Sequence, residues 1–370
     1  MRCTAPRLPA EPATDLPPGR VHRTSAVTIR DVAREAGVSV ATVSRALNDL
    51  ERVTDVTRAR VRKVAERLGY APHGGARSLI TRRTGTLGVL LPDLYGEFFS
   101  EVIRGIDQTA QKHGFHMLVA SSHSDAREIA AAVGNMRGRV DGFVVMSPDT
   151  AARAALAGLA RSFPTVIVGG GSDIGPFTTL SVNNYDGAAA MMHHLLGLGH
   201  RRIAFVRGPA GNVEANDRLR AVREVAASYP DCTLQELAGD FRQESGFDAV
   251  RPLLHDTHDR PGERPDAIFA ANDAMAIGVL GALHEAGVRV PDDVAVVGFD
   301  DTPIARFLLP PLTTVRVPIA ELGEQAALRL IDALRGGPAL IEYHAVLPTS
   351  LIIRASCGAS RRVPSRRSVP

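Results

Sequence analysis

The sequence predicts a small all-α head followed by an α/β body of two lobes with mostly parallel sheets. Three observations carry that expectation. Val27 to Asn48, VTIRDVAREAGVSVATVSRALN, has the apolar spacing of two short helices around one glycine. From Gly85 onward, apolar runs alternate with helical stretches, the pattern of parallel strands joined by crossover helices. A body of about 270 residues is too much for one compact sheet, so it should divide in two.

In the head, Thr28 is placed to cap the first helix with its hydroxyl, and Asp31 puts a carboxylate where the helix dipole favours it. Ile29, Val32, Ala33 and Ala36 form one apolar stripe, and Gly37 sits where the chain must leave the helix. Ser39 should cap a second helix whose Val43, Ala46 and Leu47 face inward. That leaves Val40, Ala41, Thr42, Ser44 and Arg45 for other work. A third helix follows, capped by Thr54, with Val61, Val64, Ala65 and Leu68 as its apolar face and Gly69 at its end. Two helices on a short turn make a helix-turn-helix, whose second helix enters the DNA major groove. Charge agrees. Residues 1–84 hold 16 Arg+Lys against 8 Asp+Glu, a net of +8, so with +3 for the chain the remainder carries −5. A basic module on an acidic body suits phosphate binding.

In the body, strands are expected at Thr86–Leu91, His116–Ala120, Gly142–Met146, Thr165–Val168, Leu180–Val182, Ile203–Val206, Ala267–Ala270, Val294–Gly298 and Thr313–Val317. Helices should lie between most of them, among them Glu97–His113, Asp186–Leu198 and Asp273–Ala286. No run of about 18 apolar residues predicts a membrane span. The proline-rich first 25 residues have no secretory core and read as a disordered leader. Three scattered cysteines, Cys3, Cys232 and Cys357, fit a reducing cytoplasm. The pairs His113/His116, His193/His194 and His255/His258 lack metal-site spacing and read as surface or loop histidines. No GxGxxG follows the first strand, the triple glycine 169–171 precedes no Gly-Lys-Ser/Thr, and no nucleophile elbow is present. Neither an enzyme nor a cofactor is expected.

The order of motifs then resembles the LacI/GalR family of bacterial transcription regulators. The likeness rests on TIRDVAREAGVSVATVSRALN (28–48), LGYAP (68–72), ARSL (76–79), DGF (141–143), LGHRRIAF (198–205), ESGF (244–247), ANDAMAIG (271–278), VGFDD (297–301) and PLTTV (311–315). The resemblance implies a helix-turn-helix domain at 26–71, a hinge at 72–84 and a periplasmic-binding-protein-like ligand-sensing domain at 85–355. Residues 356–370, basic and polar, are expected to be a disordered tail. Three crossovers would join the lobes, the first near Asn183 and the second near Leu312. The tail lacks the leucine heptad that makes tetramers of some relatives, so a homodimer is expected. Phe98–Ile106 and Ala276–Leu283 match helices that face the partner, although burial in their own lobe competes for many of those positions.

The same resemblance assigns the DNA contacts. Arg45 is the main base reader, because a guanidinium can bond guanine O6 and N7 together. Val40 and Ala41 occupy the variable reading positions and can offer only apolar contact. Thr28, Ser39, Thr42, Ser44, Asn48 and Tyr70 are expected phosphate anchors. In the hinge, Arg77 and Ser78 flank Leu79, which matches the wedge that kinks DNA from the minor groove. Gly74 and Gly75 should weaken that hinge as a helix. For the effector, residues just past strand ends are candidates, namely Asp93, Phe98, Phe99, Ser147, Asn272, Asp273 and Asp300, and the resemblance adds Asn183, Arg218 as a ligand-clamping arginine and Phe241 as a stacking aromatic. Asp273 could instead cap its helix. A sugar or polyol is the first expectation for the ligand, a nucleoside or purine the second. A solute-binding protein for transport is the competing function, and the basic head argues against it.

Overall fold

Three valines, Val32, Val43 and Val61, meet with no exposed surface and close the head around themselves. They come from α1 (Ile29–Ala36), α2 (Val40–Leu47) and α3 (Asp55–Leu68). A computed structural model describes residues 27–48, 53–70, 83–123, 125–146, 153–170, 177–255, 264–340 and 343–359. The expected leader, the hinge residues Arg77, Ser78 and Leu79 with Gly74 and Gly75, and Ser147 lie outside them. The chain divides into two compact units between Arg82 and Arg83.

In the head, Gly37 and Gly69 end α1 and α3 in the left-handed region, at φ of 62° and 65°. Ser39 accepts from the Thr42 N–H, and Thr54 accepts from the Thr57 N–H, as the capping pattern requires. The α1 cap differs in detail from expectation. The Thr28 hydroxyl and backbone N–H both donate to the Asp31 carboxylate, at 2.7 and 3.0 Å. A carboxylate is the stronger acceptor, so it draws the hydroxyl as a donor.

The body holds a six-stranded sheet of order β11-β5-β4-β3-β1-β2 and a four-stranded sheet of order β7-β6-β8-β9, both parallel. The first comprises β1 (Thr86–Leu91), β2 (His116–Ser121), β3 (Gly142–Met146), β4 (Thr165–Val168), β5 (Thr178–Val182) and β11 (His344–Leu347). The second comprises β6 (Arg202–Val206), β7 (Thr233–Leu237), β8 (Ala267–Ala270) and β9 (Ala295–Val297). An antiparallel pair, β10 (Thr314–Arg316) with β12 (Ser350–Ile352), spans the crossovers. The chain leaves the first lobe after β5, returns through β10, and crosses again between β11 and β12.

Three strands escaped the sequence reading: β7, β11 and β12. All are short, and each leaves most of its residues partly or wholly exposed, so none makes an apolar run. The ends of the body also move. Thr84, expected in the hinge, already donates from its N–H and hydroxyl to Asp141, at 2.6 and 2.8 Å. Ser356 and Cys357, expected in a loose tail, are fully buried. The Ser356 hydroxyl accepts from the Thr313 N–H at 2.8 Å and donates to the Val296 carbonyl at 2.5 Å. A hydroxyl reads as polar in sequence, but here it closes the crossover layer.

Helix packing explains why the expected partner faces are mostly internal. Around α4 (Glu97–Lys112), Val102, Gly105 and Ile106 are buried, and α11 (Ile319–Leu334) packs on them. A Cβ on Gly105 would stand 2.0 Å from the Ala320 carbonyl. On α10 (Asp273–Glu285), Ala276, Gly278, Val279, Ala282 and Leu283 are buried, while Ile277, Leu280 and Gly281 are only half covered. Ile277, Gly278 and Gly281 line an open groove of about 380 Å³ shared with Gln243 and Phe247 of α9 (Gln243–His255).

Candidate nucleic-acid interface and ligand cleft

On α2 the residues split by helical phase. Val43 and Ala46 are fully buried, and Leu47 packs beside them. Val40, Ala41 and Arg45 lie on the opposite side and are exposed, Val40 at 42%. Arg45 has no hydrogen bond or ion pair among the described residues, whereas Arg34 and Arg67 pair with Asp31 and Glu35, at 3.3 and 2.6 Å. The expected phosphate anchors are less uniform. Ser39 and Thr42 share a hydroxyl contact of 2.9 Å at the exposed start of α2. Asn48 donates back to the Ser44 carbonyl at 2.8 Å and closes the other end. The Tyr70 side chain packs against the edge of the head core. Thr28 is exposed, with its hydroxyl engaged by Asp31.

Arg218 is the centre of the second site. It lies on α8 (Val213–Ala227) and is only 4% exposed. Its Nε donates to Asn184 at 2.8 Å, its Nη1 to the Ala271 carbonyl at 2.5 Å, and its Nη2 stands 3.6 Å from Asp300. The flat guanidinium lies 3.8 Å over the Phe299 ring and 5.8 Å from the Phe241 ring centroid. Such stacking suits a planar, weakly hydrated cation.

Asp300 is buried, and its Oδ1 has no hydrogen bond among the described residues. Burial holds its carboxyl well above the usual range, Arg218 opposes that shift, and Asp273 and Glu214 add to it. Asp300 and Asp301 both have positive φ, 121° and 55°. This pair turns the chain from β9 toward the crossover, where the Asp300 N–H donates to the Val315 carbonyl at 2.8 Å. Asp301 takes up Arg316 and Arg354, at 2.7 and 2.6 Å.

Asp273 departs from expectation. Asn272, not Asp273, caps α10, accepting from the Met275 N–H at 2.9 Å. The Asp273 side chain is wholly buried. Its Oδ2 accepts from the Thr302 N–H and hydroxyl, at 2.8 and 3.2 Å, and its Oδ1 accepts from the Thr314 hydroxyl at 2.6 Å. Burial, only partly offset by these donors, pushes its pKa up to about 7. It therefore ties the end of β8 to the crossover and presents no free surface to a ligand.

The remaining candidates divide. The Asn272 Nδ2 donates to the Phe241 carbonyl at 3.0 Å, so these two support each other. Phe241 has φ of 74°, and its ring lies over Gly208, where a Cβ would approach to 2.5 Å. Asn183 caps α7 (Asn184–Gly197) and also donates to Asp186 at 2.6 Å, which accounts for its amide. On the first lobe, Asp93 accepts from the Leu94 and Tyr95 N–H groups and faces Arg242 of the second lobe at 3.8 Å. Phe98 and Phe99 meet edge to face, 5.7 Å apart, half-buried. Sequence reasoning missed Asn184, Phe299 and Glu214. Glu214 sits one helical turn ahead of Arg218, a spacing that could have drawn attention to it.

Among the histidines, His194 is half-buried, 3.4 Å from the Cys357 sulfur, and not a solvated residue. Among the described residues, no group of three or more His, Cys, Asp or Glu could hold a metal, and no helix is long and apolar enough to cross a membrane.

Comparison with known proteins matches residues 28–73 to the bacterial regulatory proteins of the lacI family and residues 192–357 to the periplasmic binding protein-like domain. The ribose operon repressor of Escherichia coli (strain K12) is 35% identical over 335 residues, covering 89% of this chain and 99% of that protein. The structure of the lac repressor dimer bound to operator and the anti-inducer ONPF has a TM-score of 0.80 at 30% identity, covering 90% of this chain and 99% of that one. A complex of the transcriptional regulator CelR with cellobiose has a TM-score of 0.64 at 30% identity, covering 89% of this chain and 99% of that one. With the head, the two-lobed body and full-length likeness in agreement, the chain belongs to the lacI family of bacterial regulatory proteins.

Proposed function

We propose that this protein is a sequence-specific DNA-binding repressor that grips a palindromic operator as a homodimer and releases or tightens its hold when a sugar binds its cleft. The observation that carries the DNA reading is Arg45: an exposed cation without a partner among the described residues, on the face of α2 opposite the head core. One short helix reads only a few base pairs, so two copies on an inverted repeat are needed. The half-covered Ile277 groove, with Phe307 65% and Leu309 92% exposed, gives a second copy apolar surface to cover. The protein acts in the cytoplasm, where its DNA is, and regulates without turning over its ligand.

Arg218, Phe241, Asn272 and Asp300 form the second-lobe wall of the effector site, with Asp93, Phe98 and Phe99 on the first lobe. Asp273 and Asn183 support it from behind. A sugar is favoured by the ribose operon repressor and the CelR–cellobiose complex, and by a cleft that offers one guanidinium with carboxylates and an aromatic ring.

The test is titration of full-length protein against a palindromic fragment of its own promoter at several salt concentrations. Six to ten phosphate contacts predict a loss of about 10³–10⁵-fold in affinity between 50 and 200 mM salt. Arg45→Ala should cost about 1–3 kcal/mol, or roughly 5- to 150-fold, and relax discrimination at one base pair of each half-site. No binding in dilute buffer, or binding indifferent to salt, would refute the DNA-binding reading.

A further inference from the structure

We propose that Asp141 is a positioning residue for DNA recognition: it fixes the root from which the head is tethered, and so makes the protein discriminate between operators by the distance between their half-sites. This rests on the reading of the protein as a dimeric operator-binding repressor.

The root consists of the two residues ahead of β1. Asp141 stands just before β3, and its carboxylate oxygens divide three donors between them. Oδ1 accepts from the Thr84 N–H and hydroxyl, at 2.6 and 2.8 Å, and Oδ2 accepts from the Gly85 N–H at 2.8 Å. Hydrogen bonds to an ionised acceptor are about twice as strong as neutral ones. Gly85 has φ of 64°, and a Cβ there would meet nothing within 4 Å. The glycine therefore serves the left-handed turn, which brings two successive N–H groups onto one carboxylate.

The neighbouring strands hold the same stretch. The Gly85 carbonyl accepts from the N–H of His116, the first residue of β2, at 2.8 Å, and the Asp141 N–H donates to the Thr86 carbonyl at 2.8 Å. The Thr84 hydroxyl also accepts from the Thr86 N–H at 3.2 Å. Among the described residues, Asp141 is the only side chain from outside 84–86 that bonds Thr84 or Gly85. From there β1 runs buried from Leu87 to Leu91 between β2 and β3. Thr84 and Gly85 thus belong to the first-lobe sheet and move with it.

The chain divides into its two units between Arg82 and Arg83, one residue ahead of this clamp. Every residue freed from the body is therefore added to the tether of the head. Losing the carboxylate frees Thr84 and Gly85, and two residues of extended chain reach about 7 Å. One base-pair step is about 3.4 Å along the duplex. The slack at each root then exceeds a change of one base pair in half-site separation. With both roots fixed, a dimer must instead strain its tethers or its DNA to accept that change.

The experiment is fluorescence-anisotropy titration of the full chain with a palindromic fragment of its own promoter, and with two versions of it, one base pair longer and one base pair shorter at the centre. Wild type should bind the natural spacing by roughly tenfold or more over either altered one. Asp141→Ala should shrink that ratio to about threefold or less, since a longer tether costs little. Asp141→Asn keeps one acceptor oxygen but sets an amide N–H2 against the other donors, and should fall between the two. A general loss of folded protein would weaken all three complexes alike and leave the ratio unchanged, so the ratio separates positioning from stability. The proposal is overturned if wild type binds the three spacings equally, or if its full preference survives in Asp141→Ala. Should that variant fail to fold, Asp141→Asn decides by the same ratio. In each of these cases wild-type binding to the natural fragment leaves the repressor reading standing, whereas no binding to any fragment overturns that reading and this one together.

Discussion

The carboxylate of Asp273 is out of reach of water and is held by three donors from the crossover. Its pKa stands at about 7 in the fold against a reference of 3.8. The folded state therefore keeps the proton over a range in which the unfolded chain has lost it. Stability from this group is complete below the reference value and is lost progressively as pH rises to about 7. Asp273→Asn, which keeps the shape without the charge, removes that slope. In urea unfolding across pH 4.5 to 7.5, the wild type should lose ground to the variant by up to about 1.4 kcal/mol per pH unit. A difference constant with pH would show that the aspartate is not neutralised by burial.

Helix pairs are held close by glycines that leave no room for a side chain. A Cβ on Gly278 would stand 1.9 Å from the Gln243 carbonyl and 2.7 Å from the Phe247 nitrogen. Both are backbone atoms, so α9 and α10 must separate. Gly278→Ala should cost about 1–3 kcal/mol and lower the melting temperature by several degrees. Gly281, one turn on, is the internal control. Its nearest neighbours are the Phe247 ring atoms at 3.6 Å and beyond, an ordinary contact. Alanine there should be neutral or stabilising by up to about 1 kcal/mol. Equal melting temperatures for the two variants would contradict the packing described. The head shows the same economy: small Ala33, Ala36, Ala46 and Ala65 let three short helices close over Val32, Val43 and Val61.

Across the body, the two lobes meet through few polar contacts away from the crossovers among the described residues. Arg242 reaches Asp93 at 3.8 Å with both side chains partly exposed, and Glu97 accepts from the Ile304 N–H at 3.0 Å. An ion pair this open is worth about 0–1 kcal/mol. Arg242→Gln should therefore change sugar affinity less than about fivefold, with the difference fading in high salt. A loss beyond fiftyfold would mean that Arg242 touches the ligand itself. At the crossovers, Asp273, Asp301 and Ser356 knit β8, β9, β10 and the final turn together.

How much was legible in the chain depended on the range of the interaction involved. The caps at Ser39 and Thr54, the glycine ends of α1 and α3, and most of the body strands follow from neighbours a few residues apart, and local pattern reports those directly. The ordered motifs also marked Arg218, Phe241, Asn272 and Asp300. Their division of labour was not legible. Asp273 and Asp300 are both acids just past strand ends, yet one is saturated by two threonines and the other keeps an unbonded oxygen. Local order in the polypeptide, set by backbone sterics and apolar periodicity, decided which elements form. Burial and charge pairing between residues 29 to 82 positions apart, which exist only once the second lobe and its crossovers have packed, decided how each acid is held.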